Sequence, residues 1–147
     1  MRRHPIDPAT AERVKARAAG RCDYCGTSTR DAPGSVWPLG SRRADAAVDD
    51  DDALYCCDVC NVALGNDGGD ETETRLLNPR LDSLGEHVEE HEGGVLAPRT
   101  EEGRFYIERL RLNRAALVEE RHARRLLALA RRADEDLRAL LALKRPA

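Results

Sequence analysis

The clearest hydrophobic pattern lies near the C-terminus. Leu126, Ala130, Ala133, Leu137, Leu140 and Leu141 recur at alternating spacings of three and four, which is the stripe of an α-helix with one apolar face. Such a face is expected to pack on the protein's own body. A dimer seam is the alternative, although fewer than four heptads give thin support for a coiled coil, so the chain is read as a monomer or homodimer. Asn113 is the expected cap of this helix, following a shorter helix over Phe105 to Leu112. At the other end, Asp7 as cap, Pro8 at the first position and Gly20 as stop predict a helix over Thr10 to Ala19. Val36-Trp37-Pro38-Leu39 is short, apolar and carries a proline, as a sheet-edge strand does. Gly65-Asn66-Asp67-Gly68-Gly69-Asp70 predicts a loop without the spacing of a calcium-binding EF-hand, and Asp49 to Asp52 reads as a solvated run of like charge.

Composition narrows the fold further. Five aromatic residues and one methionine in 147 residues make a lean core, of the kind in which a bound metal supplies folding free energy, on the order of 10 kcal/mol for structural zinc. The formal net charge of −3 conceals strong segregation. Residues 1–30 carry seven basic and three acidic residues, residues 44–74 carry ten acids and no base, and residues 104–145 carry twelve bases and six acids. Basic ends around an acidic centre point either to DNA or RNA held by the arginine-rich helices or to pairing within the molecule. No apolar run approaches the ~18 residues of a membrane span, and Met1-Arg2-Arg3-His4-Pro5 leads into no apolar signal region. The expected location is cytoplasmic.

The candidate chemistry rests on Cys22-Asp23-Tyr24-Cys25 and Cys57-Asp58-Val59-Cys60. Each pair puts two thiolates on one tight turn, and Cys22, Cys25, Cys57 and Cys60 together supply the four ligands of a closed structural Zn²⁺ site. Gly26 and Asn61, one residue past each pair, tolerate the positive φ that aims backbone amides back at sulfur. Disulfide pairing is the competing reading and needs an oxidising compartment. Cys56 is the odd thiol, and its adjacency to Cys57 leaves open which of the two is the ligand.

Further blocks extend the picture: Arg21 to Gly26, Cys57 to Asn61 with Gly65-Asn66, Asn78-Pro79-Arg80-Leu81-Asp82 with Glu86-His87, Gly103-Arg104, and Leu110 to Arg114. In this arrangement the chain resembles the HNH endonuclease family, specifically its four-cysteine members. The resemblance implies an α+β fold: a small ββα-metal, treble-clef-like zinc core in residues 1–100, with an N-terminal helix, and a C-terminal helical extension in residues 101–147 packed on it. It also implies a second divalent ion, Mg²⁺ or Mn²⁺, for phosphodiester hydrolysis, with a histidine deprotonating water and a carboxylate beside it holding the metal. Aligning on Pro38 places Gly34 and Ser35 at that Asp-His pair, Asp52 at the family's central Asn, Asn61 at the last ligand position and Leu64 at a phosphate-binding lysine. Glycine offers no ligand, and an unassisted serine is no base near neutral pH. Ser35, Asp52 and Asn61 are thus the candidate catalytic positions, and the expected function is a zinc-binding protein of the HNH nuclease type with degenerate catalysis and non-specific nucleic-acid binding. The alternatives are an active nuclease with a migrated base such as His87 or His91, and a structural or partner-binding zinc module. His87 itself is expected to be structural.

Overall fold

The computed structural model describes residues 6–28, 35–38, 53–64 and 74–144. Gly34, Asp45, Asp49 to Asp52, the Gly65–Asp70 loop and His4 lie outside them. The fold is a mixed α+β arrangement: α1 (Pro8–Ala18), β1 (Ser35–Pro38), β2 (Ala53–Cys56), α2 (Asp58–Leu64), α3 (Leu84–His87), β3 (Val88–Glu90), β4 (Leu96–Pro98), α4 (Glu101–Arg109) and α5 (Ala115–Leu143).

Helix α1 begins as its sequence dictates, with Pro8 in the first turn and the Asp7 carboxylate accepting from the Thr10 N–H at 3.1 Å. It ends at Ala19, which takes the left-handed conformation with φ 52°. Strands β1 and β2 pair antiparallel, Ser35 opposite Cys56 and Pro38 opposite Ala53. All four residues of β2 are buried, because it is covered on both faces. Ala53 and Tyr55 pack with Val14 of α1, whereas Leu54 and Cys56 belong to the larger core with Leu77, Tyr106, Ile107, Leu110, Leu112 and Leu117. That alternation follows from the two-residue period of a strand.

A second antiparallel pair, β3 with β4, has no signal in the sequence pattern. Three residues per strand are too few for a hydrophobic alternation to register. Helix α4 starts at Glu101 rather than Phe105, since Thr100 caps it by accepting from the Gly103 N–H at 3.0 Å. It ends at Arg109, short of the expected Leu112. Asn113 does not cap α5; its side chain instead pairs with both the N–H and the carbonyl of Leu96, each at 2.8 Å, clamping β4 to the α4–α5 turn, and Arg114 takes the cap position.

The apolar stripe of α5 departs from expectation more fully. Leu117 and Arg121 are buried against the body, but every described residue from Leu126 onward is exposed. Leu126 follows Leu117 by nine residues, a rotation of about 180° at 3.6 residues per turn. The stripe therefore faces away from the surface on which the helix is seated, and no described residue covers it.

Candidate metal centre

The first cysteine pair is brought to the second by Asp23. Its backbone N–H donates to the Tyr55 carbonyl at 2.8 Å, while its carboxylate accepts from the Tyr55 N–H at 2.8 Å. The knuckle is thereby docked along the edge of β2, immediately before Cys57. Arg17 of α1 braces the junction, donating to the Ala53 carbonyl at 2.8 Å and to Asp23 at 3.4 Å. From the other side, the Tyr106 hydroxyl of α4 donates to the Tyr24 carbonyl at 3.3 Å, and Arg109 donates to the Leu64 carbonyl at the end of α2 at 2.9 Å. Asp23 and these braces escaped the sequence reading. The one signal available was an acidic residue inside the first Cys-x-x-Cys, which a solvated turn explains equally well.

The result is a sulfur cluster. The sulfurs of Cys22, Cys25, Cys57 and Cys60 all lie within 4.8 Å of one another, and Cys25 and Cys57 approach to 3.7 Å. A tetrahedral ion with metal–sulfur bonds of about 2.3 Å requires its sulfurs roughly 3.8 Å apart, so the donor set fits. None of the five cysteines is disulfide-bonded. Thiols this close compete for protons: its neighbours, Cys25 foremost, drive Cys22 far below the ordinary thiol range, whereas contact with Cys22 above all drives Cys60 far above it. A coordinated cation ends that competition by holding all four as thiolates.

The turns work as knuckles, with one difference from expectation. Gly26 does take a positive φ of 75°, and its N–H closes the turn onto the Cys22 carbonyl at 2.8 Å. Asn61 does not, because Cys57 is followed directly by α2; its N–H donates to the Cys57 carbonyl at 2.9 Å, as in a helical turn. The amide that reaches sulfur is that of Cys60, 3.5 Å from Cys57 Sγ. Cys56, wholly buried in β2, donates its thiol to the Cys57 carbonyl at 3.4 Å and stands outside the four-sulfur group.

Of the candidate catalytic positions, Asp52 lies outside the described residues. Ser35 opens β1 opposite Cys56, and Asn61 is half-buried on α2. Leu64 packs against the core. Among the described residues, the four cysteines are the one group of three or more His, Cys, Asp or Glu able to hold a metal ion. The described histidines are engaged elsewhere: His87 Nδ1 lies 2.7 Å from the Thr100 hydroxyl, His91 lies 3.9 Å from Glu89, and His122 Nδ1 lies 3.2 Å from the Glu92 carbonyl. Burial, ahead of the charge around them, holds the phenols of Tyr24 and Tyr106 protonated far above their usual range. The Asn78–Asp82 block is a local clasp. Asp82 accepts from both Arg75 guanidinium nitrogens at 2.8 Å and from the Asn78 N–H at 2.7 Å, contacts that lower its carboxyl to about 2, Arg75 contributing most.

The arginines of α5 divide by role. Arg121 is buried and donates to the carbonyls of Gly94, at 2.6 Å, and Leu112. Arg124 and Arg125 pair with Glu90 at 3.5 and 3.2 Å, and Arg138 pairs with Asp134 at 3.1 Å. These acids, Glu90 and Asp134, lie outside the acidic centre of residues 44–74. No described helix is long and apolar enough to cross a membrane. Comparison with family models, with curated proteins and with solved structures finds no match for this chain.

Proposed function

We propose that this chain is a zinc-organised module on an HNH-type ββα core that acts by binding and has lost efficient phosphodiester cleavage. The observation that carries the reading is the four-thiolate cluster itself. Zinc suits four sulfur ligands at tetrahedral spacing, and a site filled by four cysteines keeps no open position for substrate or attacking water. The order of elements supports the same scaffold: one knuckle, two antiparallel strands, then a second knuckle leading into a helix. His87, His91 and His122 pair with Thr100 at the cap of α4, with Glu89 of β3 and with the Glu92 carbonyl between β3 and β4, and among the described residues none of them joins a group able to hold a second metal ion, which argues against a migrated base.

Purified protein is expected to contain about one zinc per chain and to leave supercoiled plasmid intact in Mg²⁺ or Mn²⁺, since loss of a general base costs about 10²- to 10⁴-fold in rate. Robust nicking that disappears in His87→Ala or His91→Ala would refute the reading and establish an active nuclease. The double replacement Gly34→Asp with Ser35→His tests whether the scaffold alone is competent. Any nucleic-acid binding runs through exposed arginines such as Arg131 and Arg132, and is therefore weak, indifferent to sequence and steeply salt-dependent. Complete absence of retention on DNA and RNA at low salt assigns the binding role to protein partners.

A further inference from the structure

A cleft of about 300 Å³ opens between the first knuckle, the β3–β4 hairpin and helices α3, α4 and α5. Leu84, Val88, Leu96, Leu112 and Tyr106 give it apolar walls, and Arg121, Arg124 and Glu90 line it as well. At the ~30 Å³ that a liquid allots to each water-sized group, the space holds about ten non-hydrogen atoms, the small end of the range for ligand sites.

Arg121 sets the charge of what the cleft accepts. It is only 8% exposed, yet it bonds to neutral oxygens alone: Nε to the Gly94 carbonyl, Nη2 to the Leu112 carbonyl and to Asn113 Oδ1. Its Nη1 has no partner among the described residues. No described acid stands within ion-pair distance of it, because Glu90 is held by Arg124 and Arg125 at 3.5 and 3.2 Å. Three guanidiniums thus gather about one half-buried carboxylate, and a buried cation is costly until a counter-ion meets it. The cleft is also polarised along its length. Loss of water acts most on Arg121, followed by the charges of Glu90, Arg124, Arg114 and Glu120, with no sulfur among them. Burial and then the sulfurs of Cys56, Cys22 and Cys60 act on Tyr24, which lines the cleft beside Cys25. A guanidinium end therefore faces a sulfur end across apolar walls. The planar fork of arginine matches a carboxylate, and thiolates at the far end repel a second anionic group. We propose that the cleft binds a small organic monocarboxylate, its carboxylate on Arg121 Nη1 and its apolar body running past Val88 and Leu96 toward Tyr24 and Tyr106.

The test is calorimetric titration of the full zinc-loaded chain with octanoate, beside octan-1-ol, the dicarboxylate suberate and inorganic phosphate. Octanoate is expected to bind one to one, about tenfold or more tighter than each of the other three, since only it combines a charge-assisted hydrogen bond with an apolar body and a neutral far end. Arg121→Gln keeps an amide donor for the carbonyls and is expected to bring octanoate down to the affinity of octan-1-ol. Gly85 lines the cleft, and a β-carbon added there meets nothing within 4 Å. Gly85→Phe is therefore expected to fill the space and abolish binding without disturbing the fold, and it decides the matter alone if Arg121→Gln unfolds the chain. Zinc content measured in each variant separates loss of the cleft from loss of the metal centre. The proposal is overturned if octanoate shows no saturable binding, if octan-1-ol, suberate or phosphate binds as tightly, or if octanoate binding survives Gly85→Phe and so lies elsewhere on the surface.

Discussion

Asp23, Cys57 and Gly103 illustrate how single residues carry this fold. Asp23 satisfies both backbone polar groups of Tyr55, so the first knuckle docks as an extra rung on β2 and its thiols arrive beside those of the second. Cys56 and Cys57 are neighbours in sequence and differ entirely in duty, one a core thiol and one a member of the sulfur cluster. Cys57→Ser is therefore expected to lower zinc stoichiometry and the melting temperature far more than Cys56→Ser, because it removes metal-linked folding free energy rather than a small buried contact. Equal tolerance of the two, read by metal analysis and thermal unfolding, rejects the ligand assignment. Gly103 lies directly over the His87 carbonyl: a β-carbon there would overlap the oxygen and stand 2.8 Å from the carbonyl carbon. Gly103→Ala is expected to destabilise by about 1–3 kcal/mol in urea titration, since backbone cannot yield as a side chain can.

Beside the two apolar cores, side chains bonded to backbone polar groups join the elements. Arg121 joins the β3–β4 turn to the α4–α5 turn through the Gly94 and Leu112 carbonyls, and Asn113 holds β4 by both its backbone groups. Arg121→Ala strands two carbonyls beneath α5, at a cost of about 1–3 kcal/mol for each one left without a donor. It is expected to loosen the seat of α5 while the zinc content stays unchanged, a separation that amide hydrogen exchange across residues 88–98 and 115–122 would read. Lost zinc in this variant would instead tie the hairpin to the metal centre. Strand β2 shows the same division of labour by geometry, its alternate residues serving the α1 face and the α4 face.

At the level of the whole molecule, Cys22, Cys57 and Cys60 belong to the larger of the two cores, which also takes in residues of α4 and of the first turn of α5. With few aromatic residues to fill that core, a metal held by the four cysteines would contribute a substantial share of folding free energy. Strong chelators are expected to lower the melting temperature sharply and to unfold β2, α2 and α4 cooperatively. Circular dichroism with and without chelator checks this, and an unchanged melting curve rejects a structural metal.

The sequence by itself determined the local features whose causes lie within a few residues. Asp7 with Pro8 started α1, the two Cys-x-x-Cys turns picked out the four cysteines whose sulfurs cluster, and the three-four spacing of leucines made α5 a helix, because caps, tight turns and helical faces are set by short-range sterics and hydrogen bonding. Tertiary structure alone decided which side of α5 meets the body. Periodicity reports that a helix has an apolar face, but the register of Leu117 and Arg121 on the core fixed the helix's rotation and left Leu126 and Leu137 outward. It also decided that Cys57 rather than Cys56 joins the cluster, that Asn113 clasps β4 instead of capping a helix, and that most arginines of α5 near the body answer to Glu90 and to backbone carbonyls. Each of these depends on a partner distant in the chain, and such contacts leave no periodic trace in the residues that make them.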